Sequence, residues 1–142
     1  MKNIVTSICL VFITLFSSCK KDSNANLITT ANVNSSVTAG TWRITYYWDT
    51  DHEETSNFSG YNFTFATSGV LTATNGSSPT TGNWGTSSEN NTVKLIINFL
   101  TLANFVSIST DWEVIERGET IIKLRHISGG GGGTDFLTFE KN

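Results

Sequence analysis

Residues 41–141 consist of short runs in which apolar and polar side chains alternate, and this alternation restricts the fold more than any other feature. A period of two places every second side chain on the same face of a β-strand. Clusters of Gly, Asn, Ser and Asp separate the runs at intervals of about 8–12 residues, a spacing typical of antiparallel sandwiches and barrels. The pattern predicts eight strands, over Thr41–Trp48, Tyr61–Phe65, Leu71–Ala73, Thr81–Thr86, Val93–Phe99, Ser109–Arg117, Thr120–Ile127 and Thr134–Lys141.

Small polar residues are frequent, with 22 Thr, 16 Ser and 14 Asn among 142 residues. These residue types are poor helix formers, which argues against a helix bundle. A chain of this length forms one domain. Because the predicted strands follow one another through short connections, closure into a barrel removes both sheet edges. We predict an all-β fold, an eight-stranded antiparallel up-and-down β-barrel with at most one or two short helical turns.

Two segments do not fit the strand pattern. The apolar residues of Leu100–Ser107 match neither the helical nor the strand period, and a helical turn that caps the fold is one interpretation. Leu27–Val37 carries a few apolar residues in an otherwise polar stretch. It is either part of a flexible tether or a short helical turn that closes one end of the fold.

The beginning of the chain has the parts of an export signal. Lys2 gives a positive start, and the apolar run Ile4–Phe16 follows. That run has 13 residues, whereas a transmembrane helix needs about 20. Leu15-Phe16-Ser17-Ser18-Cys19 then resembles a bacterial lipobox, in which small residues precede a cysteine that becomes the lipidated N-terminus.

This resemblance predicts a lipoprotein signal peptide over residues 1–18, a lipidated N-terminus and polar tether over 19–38, and the barrel domain over 39–142. Acyl chains such as palmitate on Cys19 would give stable anchoring. An acidic residue directly after the lipidated cysteine would resemble an inner-membrane retention signal, but this chain has Lys20 there. We therefore expect an exported protein at the outer membrane, on its periplasmic or its exterior side. An ordinary secreted protein with a cysteine near its cleavage site is the alternative.

Several short motifs occur in the order of a known family. Gly40-Thr41-Trp42 resembles the Gly-x-Trp signature of lipocalins, in which the Trp closes one barrel end. With Cys-Lys-Lys-Asp at 19–22, Asp-Trp-x-Val at 111–114 and the ending at 128–141, the chain resembles the small lipocalin-like lipoproteins of Bacteroidetes-type bacteria. The resemblance implies an eight-stranded barrel and, for most members, no assigned activity. The chain is shorter than lipocalins, and its last strand offers Lys141, with no arginine, to stack on the Trp.

Aromatic side chains form the candidate ligand pocket. Trp42, Ile44, Tyr46 and Trp48 alternate along the first strand, so we expect them to share its inner face. An eight-stranded barrel either fills with side chains or holds one small ligand, and such aromatics are either core or pocket lining. The candidate pocket residues are Trp42, Tyr46, Trp48, Phe63, Phe65, Trp84, Phe99 and Trp112.

The segment Asp49–Glu54 is the densest acidic cluster. Asp49, Asp51 and Glu53 are weak candidates for a Ca²⁺ site, since the Gly and the bidentate Glu of a calcium loop are absent, and a solvated hairpin loop is the preferred interpretation. The two histidines, at 52 and 126, are far apart in sequence and do not define a metal site. The five glycines Gly129–Gly133 predict a flexible hairpin loop that could act as a lid.

No sequence motif points to catalysis or to a cofactor, because no cysteine nucleophile remains after lipidation and no Gly-x-Ser-x-Gly elbow occurs. A net charge of −3 argues against nucleic acid as a partner. We expect a monomeric, non-enzymatic envelope lipoprotein, held to the membrane by its lipid. Its barrel either binds a small apolar or amphipathic ligand or has a filled core and serves as a structural or protein-interaction module.

Overall fold

The structure, a computed structural model, describes residues 26–76 and 78–142, so the predicted signal peptide, Cys19 and the first part of the predicted tether lie outside the described residues. Within these ranges the chain forms two α-helices, nine β-strands and one 3₁₀ turn. In chain order they are α1 (Thr30–Val37), β1 (Trp42–Asp49), β2 (His52–Glu53), the 3₁₀ turn (Thr55–Phe58), β3 (Asn62–Phe65), β4 (Val70–Thr74), β5 (Thr80–Glu89), β6 (Thr92–Asn98), α2 (Ala103–Ser107), β7 (Asp111–Arg117), β8 (Ile121–Ile127) and β9 (Thr134–Lys141).

Strands β1 and β3–β9 form a closed antiparallel barrel. Each strand from β3 to β8 pairs with the next in the chain, and β9 pairs with β1 from Trp42↔Lys141 to Trp48↔Phe136. The predicted eight-stranded up-and-down barrel is therefore confirmed. β2 is an additional short strand, which pairs with the end of β1 through Trp48↔Glu53.

Strand alternation produces one continuous hydrophobic core inside the barrel. In β6, for example, Val93, Leu95 and Ile97 point inward and are buried, whereas Ile96 points outward. Inward side chains of the other strands join them in a single cluster of buried residues. Since apolar burial is the dominant favourable contribution to folding, this cluster stabilises the barrel as a unit.

Helix α1 closes the barrel end at which β1 begins. Thr29 caps the helix, and its Oγ1 accepts a hydrogen bond of 3.1 Å from the backbone N–H of Asn32. Val33 and Val37 lie on one face of the helix and are buried in the core. The indole Nε1 of Trp42 donates to the carbonyl oxygen of Val37 at 2.9 Å, which joins the helix to the first strand.

The burial of α1 decides between the two interpretations of Leu27–Val37. The helical turn that closes one end of the fold is the one observed. Residues 30–37 therefore belong to the folded domain, although the sequence pattern places them in the polar tether 19–38. The few apolar residues of this segment fall at helical spacing on the buried face, and their low number conceals the helix in the sequence.

The opposite barrel end is closed by α2 and the 3₁₀ turn. Phe105 of α2 and Phe58 of the 3₁₀ turn are buried there, with ring centroids 5.8 Å apart. The predicted helical turn within Leu100–Ser107 is confirmed by α2. Over the described part of the chain, neither helix is long and apolar enough to cross a membrane.

A β-bulge in β1 changes which of its side chains point inward. The register with β9 shifts between Ile44 and Tyr46, so that Thr45 is an extra residue. An extra residue reverses the inward and outward alternation beyond it. Tyr47 is accordingly 1% exposed and Tyr46 38% exposed. The prediction that Tyr46 and Trp48 share the inner face is wrong, because alternation in a sequence does not reveal a bulge.

Candidate functional site

Five of the eight candidate pocket residues are buried in the barrel core, and four of these five contact other aromatic rings. Phe63 and Phe65 both meet Phe139 edge to face, with centroids 5.4 Å and 5.6 Å away. Trp84 is partly buried and packs its ring against Phe65 at 5.5 Å. Tyr46 and Trp48 lie toward the outside because of the bulge. The buried members of the set are Trp42, Phe63, Phe65, Phe99 and Trp112.

Trp42 is fixed at the barrel end that α1 covers. Besides its hydrogen bond to α1, its ring lies below the ammonium group of Lys141, whose Nζ is 5.2 Å from the ring centroid. This distance is within the range of a cation–π interaction, worth about 0.5–1 kcal/mol at an exposed site. Lys141, in the last strand, thus stacks on Trp42. In the lipocalins that the sequence resembles, an arginine takes this place.

Phe105 is the centre of the aromatic cluster at the other end. Its ring contacts those of Phe58, Tyr61, Phe63 and Phe99 at centroid distances of 5.8, 5.1, 6.0 and 4.8 Å. The sequence pattern does not single out Phe58 or Phe105, because both lie outside alternating runs. Phe58 is a lone large aromatic in a polar connection, and Phe105 is one of several apolar residues in a connection that fits neither the helical nor the strand period.

Tyr47 contributes a hydroxyl group to this buried end. Its Oη donates to the carbonyl oxygen of Ser107 at 3.2 Å, and its ring meets Phe58 and Trp112 edge to face. Burial, with smaller contributions from nearby carboxylates, that of Asp49 first, raises the pKa of Tyr47 to about 12, and the hydrogen bond to Ser107 offsets part of the rise. The hydroxyl therefore stays neutral at physiological pH.

The polar atoms of the aromatic residues have partners within the protein. Trp112 Nε1 donates to the carbonyl of Ile108, and Trp84 Nε1 donates to that of Ala66, both at 2.9 Å. Among the described residues, no buried side-chain nitrogen or oxygen lacks a hydrogen-bond partner. The interior of this part of the chain thus presents no free polar group that would orient a ligand.

The acidic hairpin, defined as Asp49–Glu54, projects beyond the barrel beside this end. His52 lies between two carboxylates, with Nδ1 2.6 Å from Asp51 Oδ1 and Nε2 2.9 Å from Glu54 Oε1. These hydrogen bonds raise the pKa of the exposed His52. Within residues 26–76 and 78–142, no three His, Cys, Asp or Glu side chains are grouped to hold a metal ion.

Asp135, which the sequence pattern does not single out, fixes the base of the acidic hairpin. Its Oδ1 accepts hydrogen bonds from the backbone N–H and the Oγ1 of Thr50, at 2.9 and 3.2 Å. Thr50 has a φ of +53°, so these bonds hold a backbone conformation that is uncommon for a residue with a β-branched side chain. The last residue of the glycine loop, Gly133, lies against Thr50, so close that a Cβ on Gly133 would overlap it.

A strip of charged side chains covers the outer face of β6, β7 and β8. Lys94 pairs with Asp111, and the Arg125 guanidinium donates to Glu113 Oε2 at 2.6 and 3.1 Å. The ion pair lowers the pKa of the Asp111 carboxyl and raises that of Lys94. His126 borders the strip, with Nδ1 3.2 Å from the Asp111 carbonyl oxygen. Lys94 and Arg125 thus each have an acidic partner, and half-exposed pairs of this kind contribute little to stability.

An opening interrupts the barrel wall between β1 and β3. The two strands share one residue pair, Trp42↔Phe63, whereas β1 and β9 share six. Beyond that pair, residues 43–45 of β1 face residues 58–62 across a pocket of about 460 Å³. Ile44, Phe58 and Tyr61 line its apolar part.

Hydrogen bonds close both ends of this opening. At one end, Asn142 Nδ2 donates to Asn62 Oδ1 at 2.6 Å and to Thr41 Oγ1 at 3.3 Å. At the other end, the Tyr47 N–H donates to Thr55 Oγ1 at 2.8 Å. The edge of β1 is thus free only between these two connections.

No protein-family model matches the chain, and no curated protein matches it. Among solved structures, the chain is similar to a duf4847 family protein from Bacteroides vulgatus ATCC 8482. The two are 15% identical, with a TM-score of 0.53, and the match covers 78% of this chain and 97% of that one. At this identity the similarity concerns the fold alone. It agrees with a barrel of the Bacteroidetes type, while the lipocalin-like and lipoprotein assignments stay predictions.

Proposed function

We propose that the protein is a non-enzymatic, monomeric module of the bacterial envelope, anchored to the outer membrane by lipid on Cys19, which acts through the outer surface of a filled barrel. One observation supports the filled barrel. Most of the aromatic side chains that would line an internal ligand site occupy the interior themselves. Ring contacts at 4.8–6.4 Å join those in the core and at the Phe105 end, and Trp42 is buried at the α1 end.

Binding of a ligand inside the barrel is the other function that the sequence pattern favours. Such a ligand would have to displace these rings. Removing a buried Phe side chain from its packing costs about 3–5 kcal/mol in substitution series, which indicates the scale of that displacement. α1 and the Phe105 cluster also cover the two barrel ends through which a ligand would enter. The packing therefore favours a function on the outside.

The acidic hairpin is the surface feature that we propose for contact with another envelope component. Four of its six residues are acidic, and the Asp135 and His52 hydrogen bonds hold its shape. A loop held in one conformation loses less conformational entropy on binding than a mobile loop does. Charge on such a surface steers encounter with a basic partner.

Mass spectrometry of the full-length protein, purified from membranes of its own host, tests this proposal. Under denaturing conditions we expect a mass increase from acyl groups, which Cys19→Ser abolishes. Under native conditions we expect the monomer mass with no bound small molecule. Phe105→Ala, which leaves a cavity, is the control, and once shown to be folded by circular dichroism it should bind a small apolar compound such as benzene.

The two parts of the proposal fail separately. A stoichiometric small molecule released from the wild-type protein would contradict the filled barrel and restore the carrier function. An unmodified mass in the wild-type protein would contradict the lipid anchor while leaving the filled barrel unaffected.

A further inference from the structure

The opening between β1 and β3 exposes a short piece of strand edge. Between Trp42 and Tyr47, β1 has β9 on one side and no strand on the other. Edge strands present unpaired backbone N–H and C=O groups, which are a template for another strand. Backbone groups of this kind recognise an extended polypeptide segment, because its N–H and C=O groups repeat with the same spacing.

The dimensions of the opening fit a short segment. Four residues of β1 span about 13 Å at 3.3 Å per residue. The pocket of about 460 Å³ lies above an apolar floor that includes Ile44 and Phe58. In an extended segment every second side chain points to the same side, so alternate side chains would face this floor.

The antiparallel pairing of the barrel favours one orientation of the segment, and the acidic hairpin favours one kind of end. All neighbouring strand pairs in the barrel are antiparallel, and β1 runs from Arg43 toward the acidic hairpin. An antiparallel segment would therefore place its first residues beside the hairpin, next to Glu54, whose backbone N–H donates to Tyr47 O at 2.9 Å. A basic residue at the start of the segment would complement these carboxylates.

The bulge at Thr45 argues against a second copy of the chain as the occupant. Bulges and short edges are devices that prevent sheets of two copies from joining. The Thr55 and Asn142 hydrogen bonds limit the free edge further. A short, flexible segment of another protein fits such an edge, whereas a whole barrel strand with its own neighbours does not.

We propose that this opening binds an extended segment of a partner protein, antiparallel to β1, with a basic residue at its N-terminal end. The inference deepens the surface function proposed above and rests on it. It assigns the backbone of residues 43–46 to recognition and the acidic hairpin to selection of the basic end.

Titration of isotope-labelled full-length protein in detergent with peptides, followed by amide chemical shifts, tests the proposal. The probe is a pool of capped hexapeptides with Lys first and Val, Thr, Ile or Tyr at the other positions. We expect saturable shifts confined to residues 43–46 and 58–62. A pool that is N-methylated at alternate residues should bind at least about tenfold more weakly, because it lacks the donors that pair with a strand edge.

Two tryptophan variants of neighbouring serines provide a matched pair. Ser59 lines the opening, and Ser59→Trp should fill it and weaken binding by about tenfold or more. Ser56 is exposed on the 3₁₀ turn and does not line the opening, so Ser56→Trp should bind as the wild type does. A pool with Glu first should bind more weakly than the pool with Lys first.

Each of the following results would overturn the inference: no saturable shifts, shifts at another surface, equal binding of the N-methylated pool, or unchanged binding by Ser59→Trp. Concentration-dependent dimers with shifts at the same amides would assign the edge to a second copy and would overturn it too. Any of these leaves the filled barrel in place. A small molecule in the native mass spectrum instead contradicts the filled barrel and leaves peptide binding at the opening unaffected.

Discussion

Because of the buried hydroxyl of Tyr47, we expect the stability of the barrel to decrease with rising pH in the alkaline range. With a pKa of about 12 in the folded state and 10 in the unfolded state, the folded protein keeps this proton between those values while the unfolded chain releases it. The stabilising effect is complete below pH 10 and is lost as pH rises to 12. We expect the free energy of unfolding to fall by up to about 1.4 kcal/mol per pH unit in this interval from Tyr47 alone.

Urea unfolding of wild type and Tyr47→Phe at several pH values checks this prediction. Phe keeps the ring contacts with Phe58 and Trp112 and removes the hydroxyl. At pH 8 the variant should be about 1 kcal/mol less stable, because the bond to Ser107 is lost. The contributions of other titrating groups cancel in the difference between the free energies of unfolding of the two proteins. Parallel curves from pH 8 to 12 would show that Tyr47 does not cause the loss.

Individual side-chain positions are predictable from the sequence where strands are regular and not where they are irregular. The buried alternation of Val93, Leu95 and Ile97 follows directly from the pattern. Because of the bulge at Thr45, the side chain of Tyr47 points inward and that of Tyr46 outward, the reverse of the prediction. No residue type in this run signals an extra residue. The bulge is defined by the pairing of β1 with β9, which lies about 90 residues away in sequence, so local sequence does not reveal it.

At the scale of elements, β5 contains two glycines in different surroundings. A Cβ on Gly82 would lie 2.7 Å from Phe99 Cδ1 and would overlap the carbonyl oxygen of Asn98. A Cβ on Gly85 would meet no atom within 4 Å. We expect Gly82→Ala to destabilise the protein by about 1–3 kcal/mol, because β5 must move away from β6. Gly85→Ala should be neutral or stabilising by up to about 1 kcal/mol.

Chemical unfolding of both variants checks this pair. Each substitution removes the same backbone freedom, so the difference between them reports the close approach of β5 and β6. Equal stability of the two variants would mean that β5 lies farther from Phe99 than the structure shows.

The existence of most elements is predictable because strand alternation and turn residues are local signals. β5 is the weakest of these predictions, because its Gly, Ser and Thr residues alternate poorly and the prediction over Thr81–Thr86 rests on Trp84; the observed strand is longer, Thr80–Glu89. β2 and α1 are different, since β2 has two residues and α1 has only two buried apolar side chains. Their conformations depend on tertiary contacts, such as the Trp42 bond to Val37, rather than on local propensity.

At the scale of the whole molecule, closure of the barrel is predictable and its filling is not. Closure follows from the rule that free sheet edges are disfavoured. Filling depends on Phe58 and Phe105, which reach the core from connections without strand periodicity. Their positions are set by the complete barrel, so the sequence alone leaves the hollow and the filled barrel open.

One core that extends between both ends should make the barrel unfold as one unit. Val37→Ala, at the α1 end, should cost about 2 kcal/mol, and Phe105→Leu, at the other end, about 1–2 kcal/mol. Their sites lie at opposite ends, so the double variant should lose the sum to within about 0.5 kcal/mol. Tryptophan fluorescence, with Trp42 and Trp112 near opposite ends, and circular dichroism should report the same transition.

Non-coincident transitions would contradict this expectation, because they would show that one end opens while the other stays folded. That result would matter for the proposed function as well. An end that opens separately at Phe105 would give a small molecule a route into the interior, whereas a single transition for all three variants keeps the barrel closed whenever it is folded. In the cooperative case, binding by the folded protein is confined to its outer surface, where the β1 opening and the acidic hairpin follow one another along β1.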